Sequence, residues 1–201
     1  MSRRARVLIA FSVIFLFPMV HSATTITFDG FADSTVLTSQ IPGLSFSDAV
    51  VLSAGISLNE FEFPPHSGTN VISDNGGPIR VAFATPVQSV EAYFTYAEPL
   101  TFEAFNSLDQ LVATTSSLYS DNDALSGDPG STPNELLAVT ASSGISFALI
   151  AGDPSGGSFT LDDLTYGSGM SPVPEPSMFV LMGLTSLFSL GFYLKARAFL
   201  Q

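Results

Sequence analysis

Short runs that alternate between apolar and other residues, separated by clusters of glycine and proline, limit most strongly how this chain can fold. Ile79, Val81 and Phe83 lie on one face of such a run, and the central part of the chain shows no sustained helical period. The pattern predicts about eight to ten strands in an all-β, antiparallel, jelly-roll-like β-sandwich of two sheets. Further predicted inner faces are Val90, Ala92, Phe94 and Tyr96; Leu100, Phe102 and Ala104; Ile145, Phe147 and Leu149; and Phe159 with Leu161.

The charge balance excludes several classes of function. The 201 residues include 6 basic and 18 acidic side chains and no cysteine. Between Thr24 and Val173 the only lysine or arginine is Arg80, against 17 acids, so this part carries a formal charge of −16. Nucleic acid is therefore excluded as a partner, because no basic surface can neutralise phosphates. The lack of cysteine excludes disulfides, thiolate metal sites and a cysteine nucleophile.

The N-terminus has the three parts of a secretory signal peptide. Arg3, Arg4 and Arg6 precede an apolar run over residues 7–17, and the small residues Ser22 and Ala23 follow. The run is shorter than the roughly 20 residues that span a bilayer. We predict a signal peptide over residues 1–23 and export by the Sec route, with cleavage after Ser22 or Ala23 left open.

The C-terminus carries a second apolar segment. Residues 178–194 contain no charge, and Lys195 and Arg197 follow directly. Such a length is at the short end for a membrane-spanning helix, and the basic residues place the tail, residues 195–201, in the cytoplasm. The sequence therefore predicts an inner-membrane anchor with the ectodomain, residues 24–171, in the periplasm.

The segment before this helix contains the motif Pro174-Glu175-Pro176. Together with the apolar helix, the basic residues and the chain end, it resembles the PEP-CTERM sorting signal, whose tail is also known as the ice-binding protein C-terminal domain. The resemblance covers residues 172–201. It implies processing by an exosortase in a Gram-negative bacterium and final placement at the cell surface or in the extracellular matrix, in association with exopolysaccharide.

The last predicted strand contains a change of phase that points to a metal site. Phe159 and Leu161 set one inner face, whereas Leu164 continues it on even numbers, which predicts a β-bulge at Asp162-Asp163. The segments 26–29 and 158–164 resemble β-sandwich ectodomains and carbohydrate-binding modules. That resemblance implies structural Ca²⁺ held by Asp29 with Asp162 or Asp163. Two alternatives are a turn whose acids face water and a competing site at residues 121–123 with Asp128.

Catalytic residues are few. After removal of the signal peptide, His66 is the one remaining histidine, and its surroundings predict a solvated loop residue. Glu60 and Glu62 would share a face if they lay on a strand, and such a pair can serve glycoside hydrolysis. We nevertheless predict that the chain is not an enzyme, with glycoside hydrolase as the weakest alternative.

Two non-catalytic functions remain. A carbohydrate-binding module with structural calcium would stack sugars on tyrosines, and the candidates are Tyr93, Tyr96, Tyr119 and Tyr166. A surface or matrix protein needs no small ligand, and its acidic charge would keep it soluble. The main prediction is an exported, exosortase-sorted surface protein with a non-catalytic acidic ectodomain, and the carbohydrate-binding module is the alternative.

Overall fold

The computed structural model describes residues 23–167, which form ten β-strands connected by turns and loops. The remainder of the predicted signal peptide and the predicted sorting signal lie outside these residues. Within residues 23–167 no helix is long and apolar enough to cross a membrane. The strands are β1 (Ala23–Ile26), β2 (Val36–Leu37), β3 (Leu44–Ser47), β4 (Ala49–Ser53), β5 (Asn70–Asp74), β6 (Ile79–Tyr96), β7 (Thr101–Phe105), β8 (Leu111–Ser116), β9 (Glu135–Ala151) and β10 (Phe159–Gly167).

Two long strands organise the hydrogen bonding. The order is β2-β4-β5-β10-β6-β9-β7-β8, with β1 paired to β10 and β3 paired to β6, and the strand pairs are antiparallel. The β6–β9 register shifts between Ala82 and Val87, where Pro86 has no N–H to donate. Before the shift β6 pairs with β3 and the end of β9; after it, β6 pairs with β10 and the start of β9.

The sheet folds so that its two halves pack face to face. Phe94 in the second half of β6 contacts Phe102 on β7, with ring centroids 5.7 Å apart, although the two strands share no hydrogen bonds. Phe28 and Phe46 make a similar contact at 6.3 Å. The all-β, antiparallel, layered prediction is therefore confirmed, whereas the prediction of two separate sheets is corrected. One continuous sheet supplies both layers, because β6 and β9 pass from one to the other.

Most of the predicted inner faces are confirmed. The alternating apolar residues of β6, β7 and β10 are buried, including Val81, Phe94 and Phe102. The face predicted for β9 is wrong: Ile145 is buried, but Ala148 and Ile150 continue the core in place of Phe147 and Leu149. The phase changes there because β9 passes the register shift of β6.

Candidate functional site

The predicted bulge lies where β10 passes the middle of β6. The register between these strands shifts between Asp162 and Thr165, and Asp163 has a φ of 50°. This left-handed residue reverses the phase of the strand, so both Leu161 and Leu164 are buried. The bulge prediction is confirmed, and its consequence is that two consecutive carboxylates lie on the outer side of the sheet.

Both carboxylates bind the loop of residues 64–69 that precedes β5, here called the clamp loop. The backbone N–H of Ser67 donates to Asp162 Oδ2 at 2.8 Å, and the N–H of Asp163 donates to Asp162 Oδ1 at 2.7 Å. Asp163 accepts the Ser67 hydroxyl at 2.7 Å and pairs with His66 Nδ1 at 2.6 Å. The loop is thus fixed across the outer face of β10 and β6.

Asp29 holds the other side of the clamp loop. It follows β1 and accepts the backbone N–H groups of Thr69 at 2.8 Å and Asn70 at 3.1 Å. A carboxylate after the first strand and two on the last strand therefore contact the same segment. What lies between them is polypeptide, and its N–H groups are the partners of Asp29 and Asp162.

The described residues do not gather these acids around one point. Among residues 23–167 no group of three or more histidine, aspartate or glutamate side chains is placed to hold a metal ion. A calcium ion would compete with the N–H donors that Asp29 and Asp162 already bind. Structural calcium at Asp29, Asp162 and Asp163 stays a prediction.

Asp162 and Asp29 lie in environments that shift the pKa of their carboxyl groups in opposite directions. Asp162 is 1% exposed, and its burial raises the pKa of the carboxyl to about 6. The N–H group of Thr69 lowers the pKa of Asp29, against a smaller opposing effect of burial. Of the three carboxylates that hold the clamp loop, Asp29 is exposed and easily ionised, whereas Asp162 is costly to ionise.

His66 lies flat on Tyr93, with ring centroids 3.4 Å apart and an interplanar angle of 7°. Its side chain is 36% exposed, so His66 is a solvated loop residue as predicted, and this stack and the Asp163 pair hold its ring in place. The Ser67 hydroxyl donates to Asp163 rather than to the imidazole. His66 and Ser67 therefore share a carboxylate and do not form the nucleophile–base contact that acyl transfer requires.

The two glutamates considered for glycoside hydrolysis do not lie on a strand. They occupy a turn, where Glu60 accepts the N–H of Gly55 at 3.1 Å and Glu62 accepts the side-chain amide of Asn59 at 2.7 Å. Each carboxylate stabilises its own turn. Residues 121–123 and Asp128 behave in the same way, since Asp128 Oδ2 accepts the N–H of Ser120 at 2.9 Å.

Three of the four candidate tyrosines make contacts within the domain. Tyr96 is fully buried, and its hydroxyl donates to Glu135. Its selection as a sugar-stacking residue is therefore corrected, because burial removes it from any ligand and also raises its pKa. Tyr119 donates to Gly130 O at 3.0 Å, and Tyr166 packs on Phe83.

A second group, which the sequence analysis missed, lies on the outer side of the other half of the sheet. The Phe105 and Phe147 rings stack in parallel at 4.7 Å, and Arg80 Cζ lies 4.1 Å from the centre of the Phe147 ring on β9. We call Arg80, Phe147 and Phe105 the outer ladder. All three side chains are partly exposed. A signal did exist in the sequence: residues 147–151 are uninterruptedly apolar, which allows either face to be the inner one.

No family model matches the chain, and no curated protein matches it either. Among solved structures, the K2 cleaved adhesin domain of Lys-gingipain has a TM-score of 0.46 at 14% identity, covering 72% of this chain and 99% of that one. The K1 cleaved adhesin domain of Lys-gingipain from Porphyromonas gingivalis W83 also has a TM-score of 0.46, at 8% identity, covering 74% and 99%. A family 29 carbohydrate-binding module has a TM-score of 0.38 at 11% identity, covering 74% and 90%.

Proposed function

We propose that this chain is an exported, exosortase-sorted surface protein whose non-catalytic ectodomain binds extracellular polysaccharide. Export and sorting rest on the two terminal segments and on the motif Pro174-Glu175-Pro176. The ectodomain is held near the inner membrane by the C-terminal helix until the tail is processed. Its final place is the cell surface or the extracellular matrix of a Gram-negative bacterium.

The observation that carries the binding function is the outer ladder. Phe105 and Phe147 are partly exposed aromatic rings on an open sheet face. Other phenylalanines of the domain are buried in its core. Apolar side chains exposed together on a soluble domain commonly mark a contact surface. A guanidinium on the same rings adds directional hydrogen-bond donors, and this mixture suits a sugar chain, which has both C–H surfaces and hydroxyls.

The positions of the two chain ends fit a tethered domain. Ala23 of β1 pairs with Gly167 of β10, so the preceding and following segments both leave from the same end of the sheet. A domain held through the sequence after Gly167 would present its opposite end and its sheet faces to the surroundings. Both faces would then be accessible to an extracellular polymer.

The binding function is tested with the full chain, purified in mild detergent from an exporting host, and polysaccharide isolated from that host. We expect the protein to sediment with the polymer and to release no reducing ends from it during prolonged incubation. Failure to sediment contradicts polysaccharide binding. Release of reducing ends contradicts the non-catalytic part of the proposal and favours the glycoside hydrolase alternative.

The sorting function has its own test. Replacing Pro174 and Pro176 with alanine lets the apolar helix extend backwards through the motif, because both helix-breaking residues are gone. We expect the double variant to accumulate in the membrane as an uncleaved species in an exosortase-positive host. Pro172→Ala, outside the motif, is the matched control and should be processed normally. Equal processing of both variants contradicts the sorting proposal.

The alternative is a carbohydrate-binding module that also holds structural calcium. The observation that favours it is the approach of Asp29 and Asp163 to one loop from two sides. It predicts a higher melting temperature in millimolar Ca²⁺ than in Mg²⁺ at equal ionic strength, and Asp163→Ala should remove the difference. Equal effects of the two ions would indicate only screening of the acidic charge.

A further inference from the structure

We infer that the outer face of β3, β6, β9, β7 and β8 is the polysaccharide-contact face and that its ligand is an uncharged glycan chain. This inference rests on the proposed binding function and names the site and the ligand class for it. The contacts centre on the outer ladder, which is continuous across three of the five strands.

The strand registers place the outer residues in two rows that run across the strands. In one row, Ser47 pairs with Arg80, Arg80 with Leu149, Leu149 with Glu103, and Glu103 with Thr114. Five strands at their usual spacing make this row about 19 Å wide. The second row consists of Ser45, Ala82, Phe147, Phe105 and Leu111.

Buried and more exposed residues alternate along β3, β7 and the first part of β6, as a half-buried sheet requires. Arg80, Phe147 and Glu103 are partly exposed, whereas their strand neighbours Val81, Ala148 and Phe102 are fully buried. The face is therefore the surface of a well-packed layer, and it is wide enough for a polymer rather than a single sugar.

The chemistry of the face combines apolar and hydrogen-bonding groups in a fixed arrangement. Arg80 Cζ lies 4.1 Å from the centre of the Phe147 ring, and the Phe105 ring stacks on Phe147 in parallel at 4.7 Å, so the guanidinium and the two rings form one partly exposed ridge across β6, β9 and β7. Among residues 23–167 no carboxylate forms a salt bridge with the Arg80 guanidinium, and the Arg80 side chain is partly exposed. Glu103 supplies an acceptor on the far side of the ridge. Pyranose C–H groups match the ridge, and vicinal hydroxyls match the guanidinium fork.

The charge of the domain decides the ligand class. Arg80 is the single lysine or arginine of residues 23–167, and the same segment contains 17 acids. A polyuronic or sulfated chain would carry repeated negative charges into this field and meet one positive charge. An uncharged polysaccharide meets no such repulsion.

The stack of His66 on Tyr93 is a second parallel aromatic stack on the outside of the sheet, but we do not assign it a role in glycan binding. Asp163 holds His66 Nδ1, and Ser67 fills the second oxygen of that carboxylate. These groups fix the clamp loop, which makes them structural. Tyr93 is therefore a suitable control position, since it also carries a partly exposed ring of a parallel stack on the outside of the sheet.

The test measures binding of the purified full-length chain to immobilised neutral polymers (glucan, mannan and galactan) and to uronic polymers (alginate and pectate). Phe147→Leu removes the ring but keeps apolar volume, and Arg80→Gln removes the guanidinium at a partly exposed position. We expect each to weaken binding to the preferred neutral polymer about tenfold, the scale of one aromatic or charged contact. Tyr93→Leu should bind within about twofold of wild type. Melting curves identify any variant that fails to fold. If Phe147→Leu fails to fold, Arg80→Gln still tests the assigned face.

The outcomes separate the inference from the function on which it rests. Loss in Arg80→Gln and Phe147→Leu with retention in Tyr93→Leu supports the assigned face. Loss in Tyr93→Leu alone overturns the assigned face and leaves polysaccharide binding in place. Tighter binding to alginate or pectate overturns the uncharged ligand class. Wild type that binds neither these polymers nor host polysaccharide overturns the proposed function itself.

Discussion

Asp162 is an acidic side chain whose charge is opposed by its surroundings and supported by its hydrogen bonds. The carboxylate is buried beneath the clamp loop, where it accepts the N–H groups of Ser67 and Asp163. Burial is the larger influence, so the pKa lies at about 6, above the value of the unfolded chain. Between about pH 4 and pH 6 the folded state therefore binds more protons at this group than the unfolded state does, and stability falls as the pH rises.

The variant Asp162→Asn should lack this contribution to the pH dependence of the free energy of unfolding, because the amide does not titrate. The amide loses one N–H partner at every pH, which gives a constant decrease in the free energy of unfolding. On top of that offset, the disadvantage of the variant should shrink by roughly 2 kcal/mol between pH 4 and pH 7, because only wild type carries the growing cost of ionisation. Denaturant titrations across this range measure the difference. Burial also raises the pKa of Asp74, but this contribution is present in both proteins and cancels.

Asp33→Asn is the matched control, with the opposite sign. The Ser57 hydroxyl is the main cause that lowers the pKa of Asp33, so its contribution to stability is present above the unfolded pKa and lost as the pH falls. The disadvantage of Asp33→Asn should therefore grow with rising pH. A difference between wild type and Asp162→Asn that stays constant from pH 4 to pH 7 contradicts the buried, raised-pKa carboxylate.

The clamp loop shows how an element without regular structure is fixed by a few backbone contacts. Gly68 has a φ of 55°, and a Cβ at this position would overlap the carboxylate of Asp29. Asp29 can approach the N–H of Thr69 because Gly68 has no side chain. The glycine therefore serves both the left-handed backbone and the close approach of the carboxylate.

Gly68→Ala should consequently cost more stability than a substitution that changes the backbone preference alone. Gly55 has a φ of 76° and no atom within 4 Å of an added Cβ, so Gly55→Ala bears only the left-handed cost of about 1–2 kcal/mol. We expect Gly68→Ala to lose at least about 1 kcal/mol more, and Asp29→Ala in the same chain to recover part of that excess. Equal losses for the two glycines, or no recovery in the double variant, would show that Asp29 does not lie against the loop.

The sequence predicts the inner face of some strands but not of others. The bulge of β10 was predictable because Leu161 and Leu164 are separated by two acids, so just one phase change buries both leucines. The inner face of β9 was not, because apolar residues occupy both phases from Phe147 to Ala151 and alternation cannot choose between them. The choice is made by β6, whose excursion at Pro86 changes the register of the pair.

The candidate sites depend on contacts that no local pattern contains. His66 and Tyr93 are 27 positions apart in the sequence, and they meet because the clamp loop crosses the outer face of β6. Arg80 and Phe105 belong to strands separated by β9 and come together through the stack on Phe147. Composition did single out Arg80 as the one base among many acids, but its position above an aromatic ring required the strand registers.

At the scale of the molecule, one acidic domain lies between two terminal segments that the sequence predicts to direct export and sorting. The pairing of Ala23 with Gly167 places both connections at one end. The charge of −16 over residues 23–167 favours a protein that stays dispersed among its own copies and among uncharged polymers. We propose that the N-terminal segment is a signal peptide that is removed, that the C-terminal segment is a sorting signal, and that the domain between them is the functional part of the mature protein.

Mass spectrometry of the mature protein from its native host tests this claim most directly, because it determines both termini in one measurement. We predict an N-terminal peptide that begins at Ala23 or Thr24 and a C-terminal peptide that ends before Met178, with the domain recovered from the surface or extracellular fraction. A mature chain that retains the peptide containing Arg3 and extends to Gln201 would contradict the account.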